Sequence, residues 1–191
     1  MVRAFLAIDL PDELSEGIGK AVSSWRRTQK GRISWIPPEN LHVTLLFLGD
    51  VLKEDLHRIA AACRAVAYGI SPFMLEPKGT GVFPHATRPR VLWIGLSGDI
   101  PRLSRLHDRL ESALSVLGHP GENRDFAPHI TLGRVRSPLA IAKILPTFLA
   151  DGFSAQAFPV REFVLYRSDL GPRGAVYTPI ERFPLTPGEG G

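Results

Sequence analysis

One tripeptide occurs twice in this chain, as His42-Val43-Thr44 and as His129-Ile130-Thr131, each followed by leucine (Leu45, Leu132) and set 87 residues apart. Both copies lie in apolar stretches that read as strands. Residues i and i+2 of a strand share a face, so each copy sets an imidazole beside a hydroxyl. Val43 and Leu45, like Ile130 and Leu132, point to the opposite face, into a core. The same offset carries Arg3-Ala4-Phe5-Leu6-Ala7 onto Arg90-Val91-Leu92-Trp93-Ile94 without a gap, and Asp12 onto Asp99, each of which opens a helical pattern. The repeat therefore spans strand, helix and strand. A period this long implies duplicated half-units, approximately 3–86 and 90–183, and not a short-period solenoid.

With 191 residues, 44% of them hydrophobic, the chain can bury one proper core as a large domain or two small lobes. Net charge is +4, which tolerates a phosphorylated partner without requiring one. A single cysteine, Cys63, excludes an internal disulfide and falls on the apolar side of a helical pattern. The apolar run Ala4–Ile8 is interrupted by Asp9, too soon for a signal peptide, and no stretch could span a membrane. A soluble, cytoplasmic protein with no membrane partner is the expectation.

In chain order, Arg3–Leu10 reads as a buried strand. A helix starts at Pro11-Asp12, with Leu14, Ile18, Val22 and Trp25 inward and a basic run of Arg26, Arg27, Lys30 and Arg32 near its end. A second helix runs from about Lys53 to Tyr68. Gly79-Thr80-Gly81 reads as a tight turn; it lacks the ending of a phosphate loop. Leu103, Leu106, Leu110, Leu114 and Leu117 mark the cleanest helix, from about Pro101 to Leu117, capped by Gly118. Pro138 opens a fourth. Phe153–Val160, Glu162–Arg167 and Val176–Phe183 are extended, with a turn over Ser168–Gly174. Strands near 73–96 and 153–183 come as hairpins, so the fold class is α+β. The architecture expected is bilobal: two pseudo-symmetric lobes, each with an antiparallel sheet facing a central cleft, helices outside.

A hydroxyl donates to a phosphoryl oxygen and an imidazole moves a proton, so two such pairs facing each other would hold one phosphate from both sides. The bland reading makes His42 and His129 satisfied core histidines. A third makes them metal ligands, but no Asp, Glu or Cys stands at ligand spacing beside either motif. His57 and His107 fall on helical patterns and are expected exposed, and His119 ends a helix. His85 sits in a loop that could edge the groove. Trp35, Phe83 and Trp93 could stack on a base.

The flanks of the motifs resemble the two-histidine (2H) phosphoesterases, and within them the RNA 2′,3′-cyclic phosphodiesterases, also called 2′-5′ RNA ligase-like proteins. The resemblance rests on Arg3-Ala4-Phe5, Trp35-Ile36-Pro37-Pro38-Glu39-Asn40-Leu41 running into the first motif, and Gly79-Thr80-Gly81-Val82-Phe83-Pro84. It continues through Pro89-Arg90-Val91-Leu92-Trp93, Pro128 with the second motif, Gly133-Arg134 and Leu165-Tyr166-Arg167-Ser168. It implies hydrolysis of a terminal 2′,3′-cyclic phosphate to a 2′-phosphate, with no metal or organic cofactor. His42 would be proton donor and His129 proton acceptor, with Thr44 and Thr131 binding phosphate. Symmetry of the sequence alone cannot make that acid and base assignment. Arg134 would be a phosphate clamp, yet His129, Thr131 and Gly133 share a face, so alternation turns Arg134 away unless the strand bends or ends at Gly133. The partners implied are RNA ends or 2′,3′-cyclic nucleotides, with no obligate protein partner and a monomer as default. A 2′-5′ RNA ligase or an RNA-end binding protein would use the same cleft.

Overall fold

The structure is a computed structural model that describes residues 1–28, 32–121, 125–137, 141–171 and 174–188. Both motifs lie on strands: His42 opens β3 (His42–Val51) and His129 opens β6 (His129–Val135). The other described strands are β1 (Val2–Asp9), β2 (Ile33–Trp35), β4 (Phe73–Phe83), β5 (Val91–Gly98), β7 (Phe158–Val160), β8 (Glu162–Gly171) and β9 (Gly174–Pro184). The helices are α1 (Asp12–Ala21), α2 (Ser23–Thr28), α3 (Leu56–Ala67), α4 (Ile100–Ser115) and α5 (Leu145–Ala150). The fold is α+β, dominated by antiparallel pairing.

The nine strands form a sheet in the order β7-β4-β5-β6-β3-β1-β8-β9, with β2 beside β6. Its two halves meet where β3 touches β6, at the pair Val43↔Ile130. Both residues are fully buried. A fully buried aliphatic side chain contributes about 1.5–3 kcal/mol, so the seam is held by its apolar side while the opposite side is left to the histidines. Each half of the sheet draws on both of the half-units expected from the sequence: β4 lies with β5 and β6, while β8 and β9 lie with β1 and β3.

The pairing repeats in detail. Ala7↔Thr44, Ile8↔Val43 and Asp9↔His42 in one half answer Trp93↔Thr131, Ile94↔Ile130 and Gly95↔His129 in the other. The histidine strands thus keep the 87-residue offset, but their neighbours are offset by 86. The ungapped match of Arg3 to Arg90 is one residue out. Both halves also share a β-bulge, because Leu6 pairs Leu46 while Ala7 pairs Thr44, and Leu92 pairs Gly133 while Trp93 pairs Thr131. Leu45 and Leu132 are the extra residues.

Elsewhere the structure corrects several expectations. The first helix is two, parted at Val22, where ψ opens to −2°. Lys30 and Pro138 lie outside the described residues. β8 runs on through Ser168 to Gly171, so the turn begins later than expected. Gly79-Thr80-Gly81 is not a turn but an irregularity inside β4, between Pro77 and Thr80. The space explains the glycine: a Cβ on Gly81 would collide with the Trp93 ring. Gly81→Ala is therefore expected to cost about 1–3 kcal/mol and to displace that ring, read as a lowered Tm. An unchanged Tm would show that the ring yields freely.

Cys63 is buried, and burial pushes its thiol up to about 12, as expected of an inert core thiol. His107 departs from expectation. It is buried and stacks on Phe126 with ring centroids 4.0 Å apart.

Candidate active site

Continuing the Val43↔Ile130 register one step each way sets His42 beside Thr131 and Thr44 beside His129. Directly opposed side chains share a face about 4.5–5.5 Å apart at Cβ. The four motif residues therefore gather on one face at the seam, in a two-fold pattern.

The two imidazoles are held alike. His42 Nδ1 lies 2.8 Å from the Asn40 carbonyl, and His129 Nδ1 lies 2.7 Å from the Ala127 carbonyl. A carbonyl can only accept, so Nδ1 carries hydrogen in both rings and Nε2 is the position at which each ring gains or loses a proton. Local structure fixes the first of these carbonyls. Pro37-Pro38 starts a 3₁₀ turn over Pro38–Asn40, and the Asn40 side-chain amide donates to the Ala175 carbonyl at 3.0 Å. Gly19 of α1 lets the helix close on this turn, since a Cβ there would meet Pro38 Cγ at 2.8 Å.

His42 Nε2 lies 3.1 Å from Thr44 Oγ1. The threonine donates to the neutral ring and accepts from the charged one. Burial holds the His42 imidazole below its ordinary value. The Asn40 carbonyl and the Asp9 carboxylate pull it back up, and His129 adds to the lowering. The His42 ring thus lies within electrostatic reach of His129. Neither is sealed away, since both are half-buried.

A cavity of about 450 Å³ opens on this face, with Thr44, Phe47, Phe83, His129, Thr131 and Arg134 among its walls. Arg134 is exposed and on the cavity side. The bulge at Leu132 explains how: it shifts the parity of the strand, so Leu132 and Gly133 are both buried and Arg134 returns to the face of Thr131. The alternation that turned it away does not survive the extra residue. Its counterpart in the other half is Phe47, brought to the same cavity by the bulge at Leu45.

Of the aromatic residues considered for stacking, Phe83 lines the cavity and meets His129 edge-on at 4.9 Å. Trp93 lies against Gly81, and Trp35 packs on the core. His85 bonds to Thr87 at 2.7 Å in an exposed loop and is not a cavity wall.

Sequence reading missed four residues. Tyr177 of β9 meets His42 edge-on at 5.4 Å, and its hydroxyl is held up by burial against the pull of Arg134 and Arg3. Phe47 and His107 both stand in the cavity wall. His107 was legible, since it shares the helical stripe of Leu103, Leu110 and Leu114. Asp9, opposite His42, was hidden by the one-residue error in the repeat.

A family model described as the 2′-5′ RNA ligase superfamily matches residues 10–172. The chain belongs to that superfamily, the two-histidine phosphoesterases. The RNA 2′,3′-cyclic phosphodiesterase of Methanothermobacter thermautotrophicus is 35% identical over 185 residues, covering 96% of this chain and 99% of the relative. That of Thermus thermophilus is 36% identical over 192 residues, covering 96% and 90%. Among solved structures, the TT0787 protein of Thermus thermophilus superposes with a TM-score of 0.81 at 32% identity, covering 98% of this chain and 99% of that one. Escherichia coli LigT complexed with 3′-AMP gives 0.76 at 29% identity, covering 97% and 98%. No helix among the described residues is long and apolar enough to cross a membrane.

Proposed function

We propose that this chain is an RNA 2′,3′-cyclic phosphodiesterase that hydrolyses a terminal 2′,3′-cyclic phosphate to a 2′-phosphate by metal-independent acid–base catalysis at two histidines. The chain is a hydrolase of phosphoric diesters, as its relatives are named. The observation that supports the mechanism best is the shared tautomer: both rings bind a carbonyl through Nδ1, which leaves Nε2 as the atom to transfer a proton in each.

Opening a cyclic phosphodiester needs in-line attack by water. His129 Nε2 takes a proton from the water as its oxygen bonds to phosphorus. His42 Nε2 gives a proton to the departing ribose 3′ oxygen as its bond to phosphorus breaks. Thr44 and Thr131 donate to the non-bridging oxygens, and Arg134 faces their charge from the cavity wall. Among the described residues no group of three or more His, Cys, Asp or Glu side chains could hold a metal ion.

Assays with a 2′,3′-cyclic nucleotide test this directly. Expected are a 2′-nucleotide product and turnover insensitive to chelators. The rate should be bell-shaped in pH, since one ring must be neutral and the other charged. Burial of His42 sets a direction: the free enzyme loses that ring's proton below its ordinary range, so kcat/KM declines as pH rises through it. A bound phosphodiester anion favours the charged ring, so the same limb in kcat lies at higher pH. A 3′-nucleotide product, or loss of turnover on chelation, would overturn the mechanism. An end-joining assay alongside distinguishes a 2′-5′ ligase, and binding without turnover an RNA-end binding protein.

A further inference from the structure

The two histidines are alike in their bond to a carbonyl and their place on the strand, yet the residues paired directly opposite them differ. Asp9 of β1 stands directly opposite His42, and Gly95 of β5 stands directly opposite His129. Direct opposition puts the Asp9 side chain on the face of the His42 ring. The mirror position can hardly take a carboxylate, because a Cβ on Gly95 would lie 2.8 Å from the Lys78 carbonyl oxygen.

The Asp9 carboxylate is held in place. The Tyr166 hydroxyl of β8 donates to Oδ1 at 2.7 Å, and Arg182 Nη1 of β9 donates to Oδ2 at 3.0 Å. The same Arg182 nitrogen also donates to Glu162 Oε1 at 2.6 Å, so one cation is shared by two carboxylates. Phe5 stacks on Tyr166 at 5.4 Å and touches His42 at 5.2 Å, which links the cluster to the ring through packed aromatics.

We propose that Asp9 is the positioning residue that makes the pair unequal, keeping His42 as the member able to carry the proton delivered to the leaving ribose oxygen. The inference rests on the two-histidine reading above. Among the described residues, the charged and titratable groups around His42 are Asp9 from β1, His129 from β6 and Tyr177 from β9, with Arg3 and Arg134 acting on Tyr177. Among these Asp9 is the anion, so it favours the imidazolium against burial and against His129.

Two variants with opposite signs test this. Asp9→Asn keeps the shape and removes the charge. Arg182→Gln, on an exposed side chain, removes the cation that offsets Asp9 and leaves Glu162 unneutralised as well. Histidine ring titrations by NMR are read with kcat/KM against pH on a 2′,3′-cyclic nucleotide. Expected in Asp9→Asn is a His42 midpoint lower by about half a pH unit or more, with activity lost mainly on the alkaline side. Expected in Arg182→Gln is a shift the other way, with His129 moving less in both.

A His42 midpoint unmoved in both variants, or His129 moving as far, would overturn the assignment. So would a uniform loss of activity with no change of profile, which a merely structural role would give. If Asp9→Asn fails to fold, Arg182→Gln decides alone. Full turnover in His42→Ala would instead strike the two-histidine reading, whereas unchanged profiles in these variants strike Asp9 alone.

Discussion

His42→Ala and His129→Ala are each expected to lose turnover by about 10²–10⁴-fold while the fold survives. The size follows from what each ring does. A proton must leave the attacking water and another must reach the departing oxygen, and neither threonine can replace a group that titrates near neutrality. The fold survives because the core side of each strand is Val43 and Leu45, or Ile130 and Leu132, all buried and untouched by the change. His42→Ala gives up the hydrogen bonds to the Asn40 carbonyl and to Thr44 and the ring contacts with Phe5 and Tyr177; His129→Ala gives up the bond to the Ala127 carbonyl and the contact with Phe83 among others. The double variant should fall little below either single one, since two groups acting as a unit are not additive. Initial rates on a cyclic nucleotide, with a thermal melt beside them, give the result. Wild-type rates in a folded His42→Ala protein would end the acid–base account.

Arg134→Ala carries the next largest effect, a fall in kcat/KM of about 10–100-fold, as expected for a charged hydrogen bond worth about 1.5–3 kcal/mol. Arg134 sits exposed in the wall that also holds His129 and Thr131, so its loss removes a permanent cation that would face a phosphate anion there. Arg134→Lys should recover part of the loss. It restores the charge, but not the planar fork that binds two phosphate oxygens at once. The fold should be indifferent, because the side chain is exposed. Unaltered kcat and KM in Arg134→Ala would remove the clamp and leave the residue a surface cation.

The parts of this site visible in the sequence are those set within two or three residues of each motif. Strand alternation alone puts His42 with Thr44 and His129 with Thr131, and the apolar residues between them choose the core side. Arg134 lay past a bulge, and one extra residue in a strand reverses every side chain after it. The pairing that creates the bulge is made with Trp93 and Leu92, whose register the order of residues does not announce. Asp9 was lost for a related reason, since an ungapped comparison of the half-units slides the first strand by one. Tyr177 came from furthest away. It reaches His42 only because the β8–β9 hairpin folds back on β1, a pairing between the two ends of the chain. Gly81 looked like a turn because glycine serves turns, whereas here it makes room for an indole.

Because β8 and β9 complete the half that holds His42, the chain is tied shut by its own end. Cutting the polypeptide between the half-units would not release two independent modules, since each piece would lack a strand that the other keeps. A protein shortened before Glu162 would lose the scaffolding of its first histidine, more than a hundred positions upstream of the cut, and leave the nearer one flanked as before.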